Sequence, residues 1–258
     1  MAAATEKMNL TRAELDAVAG AFIDHYFLEG CAGDFEGKDV AIPFSDLYAA
    51  IIAFKDQNDL TDDEVGLRFV HCYSPGEHSL YYRLQLCKLT LTAETNHGRA
   101  VYDISGPYSW YEIKDGSFAT TNITDLFDQE YLDHFYYTET GPCTGGEQLS
   151  TDGAEEKYVR NFTMPWGLEA MLQFQQNGGT PDNTGEFALH LAAISYTPAI
   201  SGDAGVAFPH SMALYFVHNA TTVLLDNNIY PGAPFRNKAA DFNTMCPPNC
   251  NSYILVQN

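Results

Sequence analysis

The stretch "VGLRFVHCYSPGEHSLYYRLQLCKLTL", residues 65–91, alternates with a period of two on both sides of a Pro-Gly turn. Val65, Leu67, Phe69, His71 and Tyr73 fall on one side of the first half; Gly66, Arg68, Val70 and Cys72 fall on the other. An extended chain sends successive side chains to opposite faces, so this pattern is a strand's and not a helix's. The second half repeats it, with Leu80, Tyr82, Leu84 and Leu86 against Tyr81, Arg83, Gln85 and Cys87. A turn centred on Gly76 and Glu77 sets His71 opposite Tyr82, Val70 opposite Arg83 and Arg68 opposite Gln85. A slip of one residue would turn the leucines to water, so the pattern specifies this register firmly. The hairpin is expected to lay its Leu/Phe face under helices and to show its guanidinium face outward.

Helical signals flank the hairpin. "TRAELDAVAGAFIDHYFLEG" opens with Thr11 and Glu14 in capping-box spacing, and Leu15, Val18, Ala19, Phe22, Ile23 and Tyr26 recur at helical intervals. "PFSDLYAAIIAFKDQN" reads as a second helix capped by Ser45, and "PWGLEAMLQFQQNGG" as a third with proline at its start and glycines at its stop. "RAVYDIS", "YSWYEI" and "SFATTN" continue the strands, the last two joined by Lys-Asp-Gly, a tight-hairpin signal. With the first hairpin they predict a meander of about five antiparallel strands from Val65 to Asn122. "TDLFDQEYLDHFYY" carries a further helical pattern, and "EFALHLAAISY" and "SMALYFVHN" are strand-like.

These elements predict an α+β fold, antiparallel meander sheets packed against a few helices. Residues 1–138 supply helices and a sheet, the Gly/Ser/acid-rich stretch 139–157 is a loop or lobe boundary, and 158–258 supply a helix and strands, packed with the first part as one unit. "LRFVHC" (67–72) echoes "LYFVHN" (214–219), which admits two similar lobes.

Charge narrows the partners. The 13 Lys and Arg face 34 Asp and Glu, a formal net charge of -21. Phosphate backbones and anionic membrane surfaces are repelled by such a body, so neither nucleic acid nor membrane is an expected partner. There is no apolar run of signal-peptide or membrane-spanning length, and the expected compartment is a reducing cytoplasm. The Asn-x-Ser/Thr sites at Asn9, Asn122, Asn161 and Asn219 then read as chance matches.

Three groups of residues can carry chemistry. Cys246 and Cys250, in "MCPPNC", have the spacing of half a zinc site, of a local disulfide, or of a stiff turn that anchors the carboxyl end. Zinc is the one cofactor this spacing suggests. Arg68, Arg83 and Gln85 gather on one strand face, and guanidinium forks grip carboxylate or phosphate at two points, although a chain so rich in acids has internal partners for them. His71 and His190 lie within strands and are the leading histidines for acid–base work. No Gly-x-Ser-x-Gly elbow, phosphate loop, dinucleotide fingerprint or His-Glu-x-x-His run occurs. The reading that follows is a non-catalytic interaction or assembly protein, with a protein partner or self-association, and with "NSYILVQN" able to extend a neighbour's sheet. The competing readings are an enzyme with a noncontiguous His/Arg site and a zinc protein at Cys246 and Cys250.

Overall fold

The computed structural model describes residues 11–26, 39–77, 79–94, 99–114, 116–132, 161–166, 171–195, 210–229 and 252–256. The architecture is α+β, built on two antiparallel sheets. Sheet A contains β2 (Val65–Ser74), β3 (Ser79–Glu94), β4 (Arg99–Lys114), β5 (Ser117–Thr120), β6 (Asn161–Pro165) and β10 (Ser252–Val256). Its order is β10-β4-β3-β2-β6, and β5 lies beside β4. Sheet B runs β1-β7-β8-β9, from β1 (Asp39–Pro43), β7 (Phe187–Ser195), β8 (His210–His218) and β9 (Thr222–Ile229).

The hairpin that opened the sequence reading has the expected register. His71 pairs with Tyr82, Val70 with Arg83 and Arg68 with Gln85. Its Leu/Phe face points into the main core, where Leu67, Phe69, Tyr82, Leu84 and Leu86 meet Phe187, Leu189, Leu191, Leu214 and Phe216 of sheet B. Helix α2 (Phe44–Gln57) adds Phe44, Leu47, Ile51 and Phe54 to the same cluster. Side chains of this kind each stabilise the fold by about 1.5–3 kcal/mol when fully buried. The core therefore ties the two sheets together.

Sheet B is covered on both faces. Phe187, Leu189 and Leu191 point inward to the main core, whereas Ala192, Ile194, Ala213, Tyr215 and Val217 pack with Leu15 and Val18 of α1 (Arg12–Tyr26). Helix α1 starts with the expected box: Glu14 Oε2 accepts from Thr11 N at 3.0 Å, and Thr11 Oγ1 accepts from Glu14 N at 3.3 Å. From one side to the other the layers are α1, sheet B, the core with α2, and sheet A.

Several local expectations are corrected. The strand β1, in "DVAIP", carried too short an alternation to be read; it pairs with β7, and α2 follows it directly at Phe44. Ser45 therefore lies inside the first turn of α2, and no side chain caps that helix. "RAVYDIS" and "YSWYEI" form the single strand β4, which passes through Gly106 and Pro107, so the stretch from Val65 to Asn122 holds four strands rather than five. Pro165 is the last residue of strand β6, and the helical residues described after it are Trp166 and α4, Met171–Gln176. Of "TDLFDQEYLDHFYY", the residues through 128 are irregular, helix α3 occupies Gln129–Leu132, and 133–137 lie outside the described residues. The stretch 138–156 lies outside the described residues.

The halves of the chain also exchange strands. β1, from the amino-terminal part, joins sheet B beside β7, and β6, from the carboxyl-terminal part, joins sheet A beside β2. The carboxyl-terminal segment pairs within its own chain: Ser252 to Val256 run antiparallel to Asp103 to Arg99 on β4. No helix among the described residues is long and apolar enough to cross a membrane.

Two glycines answer to specific demands. Gly116 closes the β4–β5 hairpin at φ +74°, where a side chain is disfavoured. At Gly66 a Cβ would stand 2.7 Å from Cys87 Sγ and 2.9 Å from Leu89 Cδ2, because those side chains cross β2 over the gap that the glycine leaves. Gly66→Ala is expected to destabilise the protein by about 1–3 kcal/mol through overpacking. Urea unfolding checks this as a lower midpoint with an unchanged slope; an unchanged midpoint would contradict it.

Candidate functional site

The face of sheet A expected to point outward is closed. Arg68 and Arg83 are each 2% exposed, Gln85 is 3%, and Cys72 and Cys87 are fully buried. A guanidinium tolerates such a place only when hydrogen bonds replace its hydration. Arg83 obtains them by reaching across β2. Its Nε lies 3.1 Å from Cys72 Sγ, and its Nη2 donates to the Phe127 carbonyl at 3.0 Å and to Asp128 Oδ2 at 3.2 Å. Burial alone would draw this guanidinium down, but the neighbouring Cys72 and Asp128 more than compensate and raise it.

Asp128 is the other half of a clasp. Its Oδ1 accepts from Tyr131 N at 2.9 Å, which caps α3, and from Tyr73 N at 3.3 Å. β6 pairs with β2 only from Gly66 to Val70. The Tyr73 amide therefore lies past the end of that pairing and finds its acceptor in Asp128. On the inner face, Tyr131 stacks on His71 with ring centroids 5.3 Å apart, and Tyr82 lies 5.2 Å from the same imidazole. Residues 121–132 thus run from β5, where Thr121 N donates to Trp110 O, to the far edge of β2, and grip that edge from both faces.

Arg68 occupies the neighbouring stretch of the closed face. Its Nε donates to Thr163 Oγ1 on β6 at 3.2 Å, and burial lowers its pKa. Gln85 Oε1 is buried with no hydrogen-bond partner among the described residues. Burial pushes the Cys72 and Cys87 thiols up to about 12, so both are neutral thiols at physiological pH and poor nucleophiles. The three residues chosen as an anion grip do come together in the interior, where Arg68 bonds to β6 and Arg83 to the crossing segment.

The two histidines part company. His71 is fully buried on the core side of sheet A, and burial lowers its pKa to about 3. His190 lies on the α1 side of sheet B. Its Nδ1 is 3.1 Å from Asp39 Oδ1, its ring stacks on Tyr215 at 5.0 Å, and the Tyr215 hydroxyl donates to Asp39 Oδ2. Burial, reinforced by Asp39, raises the Tyr215 pKa. In the tautomer that donates Nδ1–H to the Asp39 carboxylate, Nε2 is left as an acceptor, an orientation that suits a general base. Sequence reading missed Asp39 and Tyr215, since the first is 151 positions from His190 and only the β1–β7 pairing joins them.

Cys246 and Cys250 lie outside the described residues. Among the described residues no three His, Cys, Asp or Glu side chains are grouped to hold a metal ion. The chain matches no family model, no curated protein and no solved structure.

What the surface of sheet A does show is apolar. Leu91 on β3, Tyr108 on β4, and Ile123 and Phe127 on the crossing segment are 45–50% exposed. They are the large hydrophobic side chains given as exposed among the residues whose burial is described.

The buried imidazole makes stability depend on pH. In the unfolded chain His71 binds a proton near its ordinary value of 6.5; in the folded chain it does so only near 3. The unfolded state therefore holds the extra proton throughout that window, and stability falls as the pH drops through it, by up to about 1.4 kcal/mol per unit. His71→Phe keeps the aromatic stack and removes the proton site. Between pH 7 and pH 5 the native protein is expected to lose about 2 kcal/mol more than His71→Phe, measured by urea unfolding at each pH. Parallel losses in the two proteins would contradict the assignment.

Proposed function

We propose that the protein is a non-catalytic interaction or assembly protein that binds a protein partner through the sheet A side. The observation that carries this reading is the exposure of Leu91, Tyr108, Ile123 and Phe127 on sheet A and its crossing segment. Single exposed apolar residues are ordinary, but several gathered on one side of a molecule are the feature that interaction surfaces share. The reading also accounts for the polar residues of the same sheet: Arg83 makes its bonds to the chain itself, and thiols raised to about 12 do no chemistry at neutral pH.

The competing reading is an enzyme working through His190, favoured by the Asp39 contact that orients the imidazole. That dyad has no nucleophile or further catalytic group in hydrogen-bond contact besides Tyr215 among the described residues. It serves equally to pin β1 to β7 and β8.

A photo-crosslinking amino acid placed at Tyr108 or at Phe127, and at Asp16 on the exposed side of α1 as the control, tests the proposal in extract of the source cells. Adducts of one defined mass from positions 108 and 127, and none from 16, are expected. Equal labelling from all three positions, or no adduct from any, would contradict it.

A further inference from the structure

The chain contains no lysine or arginine between Lys114 and Lys157. The described part of that stretch includes the segment that crosses sheet A and ends in the clasp. On it, Ile123 and Phe127 are about half exposed, and Asp125 and Glu130 are exposed beside them. The backbone beneath Phe127 is fixed, because its carbonyl accepts from the buried Arg83 and the next residue is held by both the guanidinium and the Tyr73 amide. An aromatic side chain displayed from a fixed backbone loses little further freedom on binding, which is the property of an interface anchor.

The charge around that anchor selects the partner. With a net charge of -21, the molecule accelerates the approach of a basic partner and repels an acidic one. A second copy carries the same excess and would bring two acidic crossing segments face to face, and anionic lipid and nucleic acid are disfavoured on the same ground. We propose that residues 121–130 are the docking site for a protein segment that presents large apolar side chains flanked by lysine or arginine. This names the partner class and the place of contact for the interaction protein proposed above, and it rests on that reading.

The test uses the full chain and three fluorescent synthetic peptides of one amphipathic helical pattern, built from Leu with Lys, Leu with Gln, or Leu with Glu. Binding is read by fluorescence anisotropy at several salt concentrations. The Leu/Lys peptide is expected to bind and the Leu/Glu peptide not to. Ile123→Ser and Phe127→Ser are each expected to weaken binding about tenfold, or ~1.4 kcal/mol. Asp125→Asn with Glu130→Gln is expected to flatten the salt dependence. Ile123 makes none of the clasp's bonds, so its variant stays informative if Phe127→Ser disturbs folding.

The control is Asp16→Asn with Asp56→Asn, remote acids that change the net charge equally. If it weakens binding as much as the crossing-segment pair does, attraction is diffuse and the proposed site is wrong. Indifference of binding to Ile123→Ser and Phe127→Ser overturns the site as well. If the Leu/Gln peptide binds as tightly as Leu/Lys and still depends on Ile123, the basic partner class is wrong while the interaction reading stands. If no peptide binds, this inference is overturned, and the crosslinks at Tyr108 and Phe127 decide the broader reading separately.

Discussion

One carboxylate holds sheet A to the segment that crosses it. Asp128 accepts the guanidinium of Arg83 on one oxygen and two backbone amides, from Tyr73 and Tyr131, on the other. A buried guanidinium without such an acceptor would cost several kcal/mol, and an amide at the edge of a sheet would be left to water or to another chain. The clasp answers both demands in one place. It also shows how the guanidinium side of the hairpin, opposite the core, can be covered: Arg83 tethers the crossing segment to the sheet.

The rest of the architecture follows from how the core is shared. β2, β3, β7, β8 and α2 all contribute to one apolar cluster, and the chain places β1 and β6 each in the sheet built by the other half. Neither half can be withdrawn without unpairing an edge of the other's sheet. Residues 252–256 of the tail pair with β4 in the same chain and form an edge of sheet A. Exposed apolar side chains are found on sheet A at Leu91 and Tyr108 and on the crossing segment at Ile123 and Phe127.

The legible part of this protein was what local periodicity controls. Alternation in residues 65–91 determined the hairpin register to the residue, because a slip would have exposed Leu84 and Leu86. Thr11 and Glu14 marked the start of α1 through contacts three residues apart. The misses all depend on distant sequence. β1 is too short to show a period and exists because β7 pairs with it. Asp128 is 45 positions from Arg83, and nothing near either residue marks the pair. Alternation placed Arg68 and Arg83 on the face opposite the leucines, as found, but the exposure of that face rested on the assumption that charge seeks water. A charge will stay inside when the fold supplies its acceptors, and the local sequence does not reveal which acceptors arrive. His71 illustrates the same limit: alternation placed it on the core side, but the local sequence did not reveal that its imidazole is fully buried.

The central claim is that the Arg83–Asp128 contact, closed within the protein, anchors the crossing segment and so fixes the surface that Phe127 displays. A double-mutant cycle with Arg83→Met and Asp128→Ala, read by urea unfolding, measures that contact directly. The account expects the two residues to be strongly coupled, with an interaction energy of about 2 kcal/mol or more and a double variant less damaged than the sum of the singles. Additive losses, with coupling within about 0.5 kcal/mol of zero, would contradict it.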